Sequence, residues 1–230
     1  MPWKSSIMPD IQQFITRKEE IRAGLLSYTR KAFYAIPAFT RPRILDLGCG
    51  EGVPTIELAR LSDGTITGID IDRKALIKLN EKACKSGLCG RVGTIRGTLL
   101  CIPLAAGSFD IVWSEGAINV IGFNRALRDW GTLLREGGFM ALHDEQGNVK
   151  DKLEQIRLSG YKILDYFMLG SEVWFDLYFS PLQRLIDTVS SPNINDDKLN
   201  ELIAEASREI AFFSKYPERS SSAFFILQKC

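Results

Sequence analysis

Four groups of residues have the types and spacing to do chemistry. Asp46-Leu-Gly48-Cys-Gly50-Glu-Gly52 sets three glycines at alternate positions, two residues behind an acid. Glycines let the backbone approach a ligand closely, and a helix starting there offers unpaired N–H groups. A dinucleotide fingerprint needs G-x-G-x-x-G; the residue three after Gly50 is Val53, which argues against nicotinamide chemistry. Asp70 closes a second apolar run, where an acid can accept hydrogen bonds from both hydroxyls of a ribose; Asp72 is the better helix cap. His143, the only histidine, precedes Asp144 and Glu145 and reads either as a structural histidine or as a general base. Trp174 and Tyr178 lie one helical turn apart in an aromatic cluster that either packs helices or faces a substrate.

The elements that must position these groups follow a rhythm. Short apolar runs at 43–47, 65–70, 91–96, 109–113, 138–143 and 161–168 read as strands. Helical patterns fill 53–61, 72–87, 124–134 and 149–158, the last closed by Ser159-Gly160. This alternation specifies βαβ units: a doubly wound, mostly parallel α/β sheet of seven strands with helices on both faces. The last strand, 223–228, comes only after a gap that holds helical segments 181–189 and 198–216, joined by turn-rich 190–197. Residues 11–39 also read helical. The expected organisation is one domain: an N-terminal helical cap (1–42), a core (43–169), a helical insertion (170–220) and a final strand, antiparallel to the rest (221–230). Ligands of open α/β sheets bind outside the carboxyl ends of the strands, where Asp46, Asp70 and His143 fall.

The ordered set Ile44-Leu-Asp-Leu-Gly-Cys-Gly-Glu-Gly52, Gly68-Ile-Asp70, Ser108-Phe-Asp-Ile-Val112 and Leu134-Arg-Glu-Gly-Gly138 resembles the motifs of class I, Rossmann-like S-adenosylmethionine-dependent methyltransferases. Within that class it is similar to the small-molecule group of ubiquinone/menaquinone-biosynthesis enzymes, and Trp113-Ser-Glu-Gly-Ala-Ile118 looks like one uncharacterised branch of it. The resemblance implies S-adenosylmethionine as cofactor and S-adenosylhomocysteine as product. It implies that Asp46 with Gly48, Cys49 and Gly50 holds the methionine moiety, that Asp70 holds the ribose and that Ile71 packs on the adenine. Many relatives carry an aspartate after the third strand; here Gly97-Thr98-Leu99 leaves Thr98 and the Leu99 backbone to meet the adenine edge. Ser114 and Glu115 would lie beside the sulfonium. Methyl transfer is then an in-line displacement governed by alignment and exclusion of water, with His143 or Glu115 as base where the acceptor carries a proton. No Asn/Asp-Pro-Pro-Tyr run follows the fourth strand, so the amide- and base-amino methyltransferase signature is absent. Trp174 and Tyr178 are the expected acceptor-facing residues of a small-molecule site. The alternatives are a catalytically silent binding module and a thiol or metalloid methyltransferase.

Composition bounds the rest. The chain of 230 residues is 45% hydrophobic and 25% charged, with a mean hydropathy of −0.03, which excludes disordered and fibrous classes. Five cysteines form no C-x-x-C pair, so reduced thiols in the cytoplasm and no metal are expected. The net charge of +1 speaks against nucleic acid and anionic membranes as partners, and nothing in the sequence sets an oligomeric state. That neutrality is a cancellation. Residues 1–45 hold eight basic and three acidic side chains, residues 170–220 five and nine, and the core sixteen of each. Weak, salt-dependent attraction between the two helical segments over the cofactor edge is expected.

Overall fold

The computed structural model describes residues 11–189 and 196–230. It divides into two compact units: a core of residues 26–168 with 222–230, and a helical unit of residues 1–25 with 169–221.

In the core, seven strands form one sheet: β1 (Arg43–Leu47), β2 (Thr65–Asp70), β3 (Val92–Arg96), β4 (Phe109–Glu115), β5 (Leu134–Glu145), β6 (Tyr161–Leu169) and β7 (Ser222–Lys229). Their order is β3-β2-β1-β4-β5-β7-β6. β1 pairs in parallel with β2 and β4, β2 with β3, and β4 with β5, while β7 runs antiparallel to β5. This is the doubly wound, seven-stranded sheet expected. The four residues Ile44 to Leu47 are all buried, as a central strand covered on both faces requires.

Leu45, Leu47, Val112, Met140, Leu142, Phe225 and Leu227 share one apolar cluster with Phe123 and Leu127 of α5 (Phe123–Asp129) and Ile156 of α6 (Val149–Leu158). A second aromatic group joins Trp113 and Phe224 to Phe33 of α2 (Leu26–Tyr34). α2 packs on α3 (Val53–Leu61), pinned by Arg30 Nε against the buried Glu57 carboxylate at 2.5 Å. α4 (Arg73–Lys85) is capped by Asp72, which accepts from the Lys74 N–H.

The helix expected over 124–134 ends early. α5 stops at Asp129 and a 3₁₀ turn, Trp130–Leu133, follows. There the Tyr161 hydroxyl donates to the Leu127 carbonyl, the acceptor a continued helix would use, and Gly131 leaves it room, since a Cβ would sit 1.9 Å away. The helical stretch 11–39 is likewise two helices, α1 (Ile11–Ala23) and α2, interrupted at Gly24-Leu25.

The helical unit contains α1, a run from α7 (Ser171–Trp174) through a π-helical turn (Phe175–Phe179) into α8 (Ser180–Val189), and α9 (Asp197–Lys215). α1 packs on α8 and α9. Of the joining segment 190–197, residues 190–195 lie outside the described residues. Cys84 and Cys89 form a disulfide, against the reduced thiols expected, while Cys49, Cys101 and Cys230 are free. Among the described residues no helix is long and apolar enough to cross a membrane, and no group of His, Cys, Asp and Glu could hold a metal ion.

Candidate functional site

The glycine loop joins β1 to α3 and its shape depends on missing side chains. Gly48 has φ +78°, and a Cβ there would lie 2.3 Å from the Ala117 Cβ. Gly52 has φ +84°, and its Cβ would lie 2.1 Å from Leu79 Cδ1 of α4. Both positions combine left-handed backbone with close approach, so only glycine fits. Around Gly50 nothing lies within 4 Å of a would-be Cβ, so the middle of the loop is open.

The loop's amides are already committed. Gly48 and Cys49 donate to the Ile69 carbonyl, Gly52 to the Cys49 carbonyl, and Gly50 to Asp70 Oδ2 at 2.8 Å.

Asp70 sits at the end of β2 with Oδ2 on the Gly50 N–H and Oδ1 on the Asp72 N–H at 2.9 Å. An ionised carboxylate has about four acceptor positions, so the two remaining can meet a diol. Ile71 beside it is 66% exposed, an apolar side chain presented outward next to the acid. The Gly97 N–H donates to the Asp70 carbonyl, which brings the loop after β3 alongside. Thr98 is exposed there, and its hydroxyl accepts from the Leu100 N–H at 3.2 Å. Leu99 is buried, its carbonyl accepting from the Trp130 indole.

Asp46 is buried at the end of β1, where the Thr55 hydroxyl of α3 donates to it at 2.6 Å. Burial, helped by the charges of Glu115 and Asp70, pushes its carboxyl up to about 7 against the pull of that hydrogen bond. Cys49 is buried against Gly68, and burial pushes its thiol well above the ordinary range, so it remains a protonated packing group. Ser114 is fully buried and donates to the Leu47 carbonyl at 2.9 Å, tying β4 to β1.

Glu115 ends β4. Its Oε1 accepts from the Trp113 indole and from the Thr29 hydroxyl of α2, each at 2.9 Å. His143 is its register neighbour on β5. That imidazole is buried, stacked on Phe224 with ring centres 4.4 Å apart, and its Nε2 shares a 2.8 Å hydrogen bond with the Ser222 hydroxyl. Asp144 pairs with Lys152 at 2.6 Å.

Trp174 and Tyr178 belong to the helical unit. Their rings meet edge to face at 6.0 Å, Arg22 lies over Trp174, and the buried Tyr178 hydroxyl donates to Glu209 at 3.4 Å. Burial pushes the Tyr178 phenol up, and burial also raises the Glu209 carboxyl against the opposing charges of Lys18 and Arg22. Lys18 and Arg22 of α1 thus lie close enough to act on Glu209 of α9 within this unit.

Sequence reasoning brought Asp46, Asp70, Ile71, Thr98 and Glu115 to one end of the sheet. It missed Thr55 and Thr29. The signal for Thr29 is a polar residue on the buried helical stripe that Ala32 and Ile36 continue.

Comparison with known proteins agrees with this geometry. Residues 44–138 match the family model described as a methyltransferase domain. The chain is 30% identical over 135 residues to 27-O-demethylrifamycin SV methyltransferase of Amycolatopsis mediterranei (strain S699), covering 58% of this chain and 46% of that protein. It thus spans less than half the length of that curated relative. A SAM-dependent methyltransferase from Geobacter sulfurreducens, solved with S-adenosyl-L-homocysteine, has the same fold, with a TM-score of 0.73 and 18% identity over 97% of this chain and 100% of that one. The cyclase SpnF also shares it, with a TM-score of 0.71 and 20% identity over 88% and 80%. Residues 44–138, which hold the glycine loop and the strand-end acids, thus match a methyltransferase domain, and the chain shares its fold with a methyltransferase solved with S-adenosyl-L-homocysteine.

Proposed function

We propose that the protein transfers the methyl group of S-adenosylmethionine to a small apolar or aromatic acceptor, as a soluble cytoplasmic enzyme with neither nucleic acid nor membrane as partner. The observation that carries this reading is Asp70, a carboxylate oriented by two backbone N–H groups beside a glycine loop whose own amides are committed. Such a site favours a ribose on a positively charged ligand.

The bound cofactor supplies an electrophilic methyl group on a sulfonium. Asp70 would orient the ribose hydroxyls, Ile71 would cover one face of the adenine, and Thr98 with the Leu99 backbone would meet its edge. Asp46 and the Gly48–Gly50 backbone would hold the methionine end, where an ionised Asp46 would balance an ammonium group. Glu115 would serve the sulfonium, while Ser114 fixes the β4 end to β1. Where the acceptor must lose a proton, Glu115 is the better placed base, because His143 is buried in the sheet and engaged with Ser222. Trp174, only partly buried, is the proposed acceptor contact of the helical unit, and Tyr178 supports its ring.

Titration of the protein with S-adenosylmethionine, S-adenosylhomocysteine and NAD by calorimetry tests this reading. One-site binding of the first two and none of NAD is expected; failure of both to bind would refute it. The second reading is a catalytically silent binding module, since the same fold also serves the [4+2]-cyclase SpnF. Cofactor binding without methyl loss across a panel of hydroxyl, amine, thiol and carbon acceptors would select it.

A further inference from the structure

The Glu115 carboxylate is gripped by groups from two different elements. Its Oε1 accepts from the Thr29 hydroxyl, 86 residues earlier in the chain, and from Trp113 Nε1 on its own strand. Thr29 is 1% exposed, on the inward stripe of α2, where an apolar residue of similar shape would pack without the cost of burying a hydroxyl. The Trp113 ring is fully buried, fixed between Phe33 and Phe224 at 6.5 and 6.4 Å, so its N–H holds a set direction. Two residues further on, Ala117 fills the space that a Gly48 side chain would need, so the end of β4 abuts the glycine loop. The Glu115 charge reaches Asp46 across that contact and raises its proton affinity.

We infer that Thr29 is a positioning residue which, with Trp113, fixes the orientation of the Glu115 carboxylate at the β4 side of the glycine loop, where it distinguishes the sulfonium of S-adenosylmethionine from the neutral thioether of S-adenosylhomocysteine. This rests on the cofactor proposed above. It makes α2, which precedes the first strand, part of the cofactor site. It also gives a reason for a buried hydroxyl that packing alone does not need.

The test is the ratio of the dissociation constants for S-adenosylhomocysteine and S-adenosylmethionine, measured by calorimetry on the full chain. Thr29→Val should lower that ratio about three- to tenfold relative to the parent protein, the effect of losing one donor to a charged acceptor. Thr29→Ser, which keeps the donor, should restore it, and Glu115→Gln should lower it at least as far as Thr29→Val. Loss of packing alone would weaken both ligands together and leave the ratio unchanged. If Thr29→Val does not fold, Trp113→Phe removes the second donor while keeping a ring in the stack, and the same fall is expected. An unchanged ratio in the folded donor variants, or a change confined to Glu115→Gln, would overturn the inference. Failure of the parent protein to bind either ligand would instead overturn the cofactor reading.

Discussion

The two compact units hold their polar groups in different ways. In the core, the acids sit at strand ends, Asp70 oriented by the Gly50 and Asp72 amides and Asp46 and Glu115 by hydroxyl and indole donors, while Ser114 bonds to the Leu47 carbonyl. In the helical unit, side chains hold side chains: Tyr178 against Glu209, Arg22 over Trp174, and Phe179 against Phe213. Backbone-held groups inherit their position from strand register and loop shape, so they tolerate little change. Groups held by packing can be replaced wherever the volume is kept. Demanding chemistry belongs to the first kind of site and adaptable recognition to the second.

Substitutions that break this contrast rank by size. Gly48→Val must accommodate a left-handed backbone and a side chain directed into Ala117, so a loss of about 3 kcal/mol or more in unfolding free energy is expected, together with loss of cofactor binding. Denaturant unfolding and calorimetry check both. Asp70→Ala should leave stability nearly intact yet weaken S-adenosylmethionine by about 1.5–3 kcal/mol, the worth of charge-assisted bonds to hydroxyls. An unchanged dissociation constant would reduce Asp70 to a loop brace.

Asp46 gives a pH signature. Its carboxyl is raised to about 7 by burial, so the folded chain without cofactor holds a proton that the unfolded chain has released. The stability this contributes is complete below the ordinary carboxylate range and is lost as pH rises through about 7. A bound ammonium favours the carboxylate, so cofactor affinity should rise with pH up to about 7, by at most about tenfold per unit, with proton release on binding. Calorimetry in buffers of different ionisation enthalpy measures that release, and Asp46→Asn should abolish it.

In the helical unit, Tyr178→Phe should cost about 1 kcal/mol of stability and leave cofactor affinity unchanged. A weakened cofactor there would contradict the division of labour between the units. The smallest effect belongs to charge. Reversing Lys18 and Arg22 to glutamate should destabilise by less than about 1 kcal/mol at low salt, an effect that fades as salt is added.

The same contrast explains what the sequence made visible. β1, α3, β2 and α6 fall where apolar runs and turn residues place them, because each is bounded by glycine, proline or a capping side chain. Gly48 and Asp70 could be read because the backbone fixes them locally, and Asp46 because it ends β1 beside the glycine loop. Thr29 could not, since its partner lies 86 residues away and nothing near it in the chain announces a carboxylate. The early end of α5 goes with Tyr161 taking the Leu127 carbonyl beside Gly131, a contact distant in sequence that helical periodicity does not encode. The π-helical turn at Phe175–Phe179 is equally hidden, arising in a run of large rings that stack on one another.

The core's strand-end acids are proposed to form an S-adenosylmethionine site. Calorimetric titration of the intact chain and of Asp70→Ala with S-adenosylmethionine and NAD tests that proposal most directly. The account predicts saturable one-site binding of S-adenosylmethionine that weakens by about 1.5–3 kcal/mol in Asp70→Ala, and no NAD binding by either protein. Binding of NAD, or S-adenosylmethionine binding indifferent to Asp70, would contradict it.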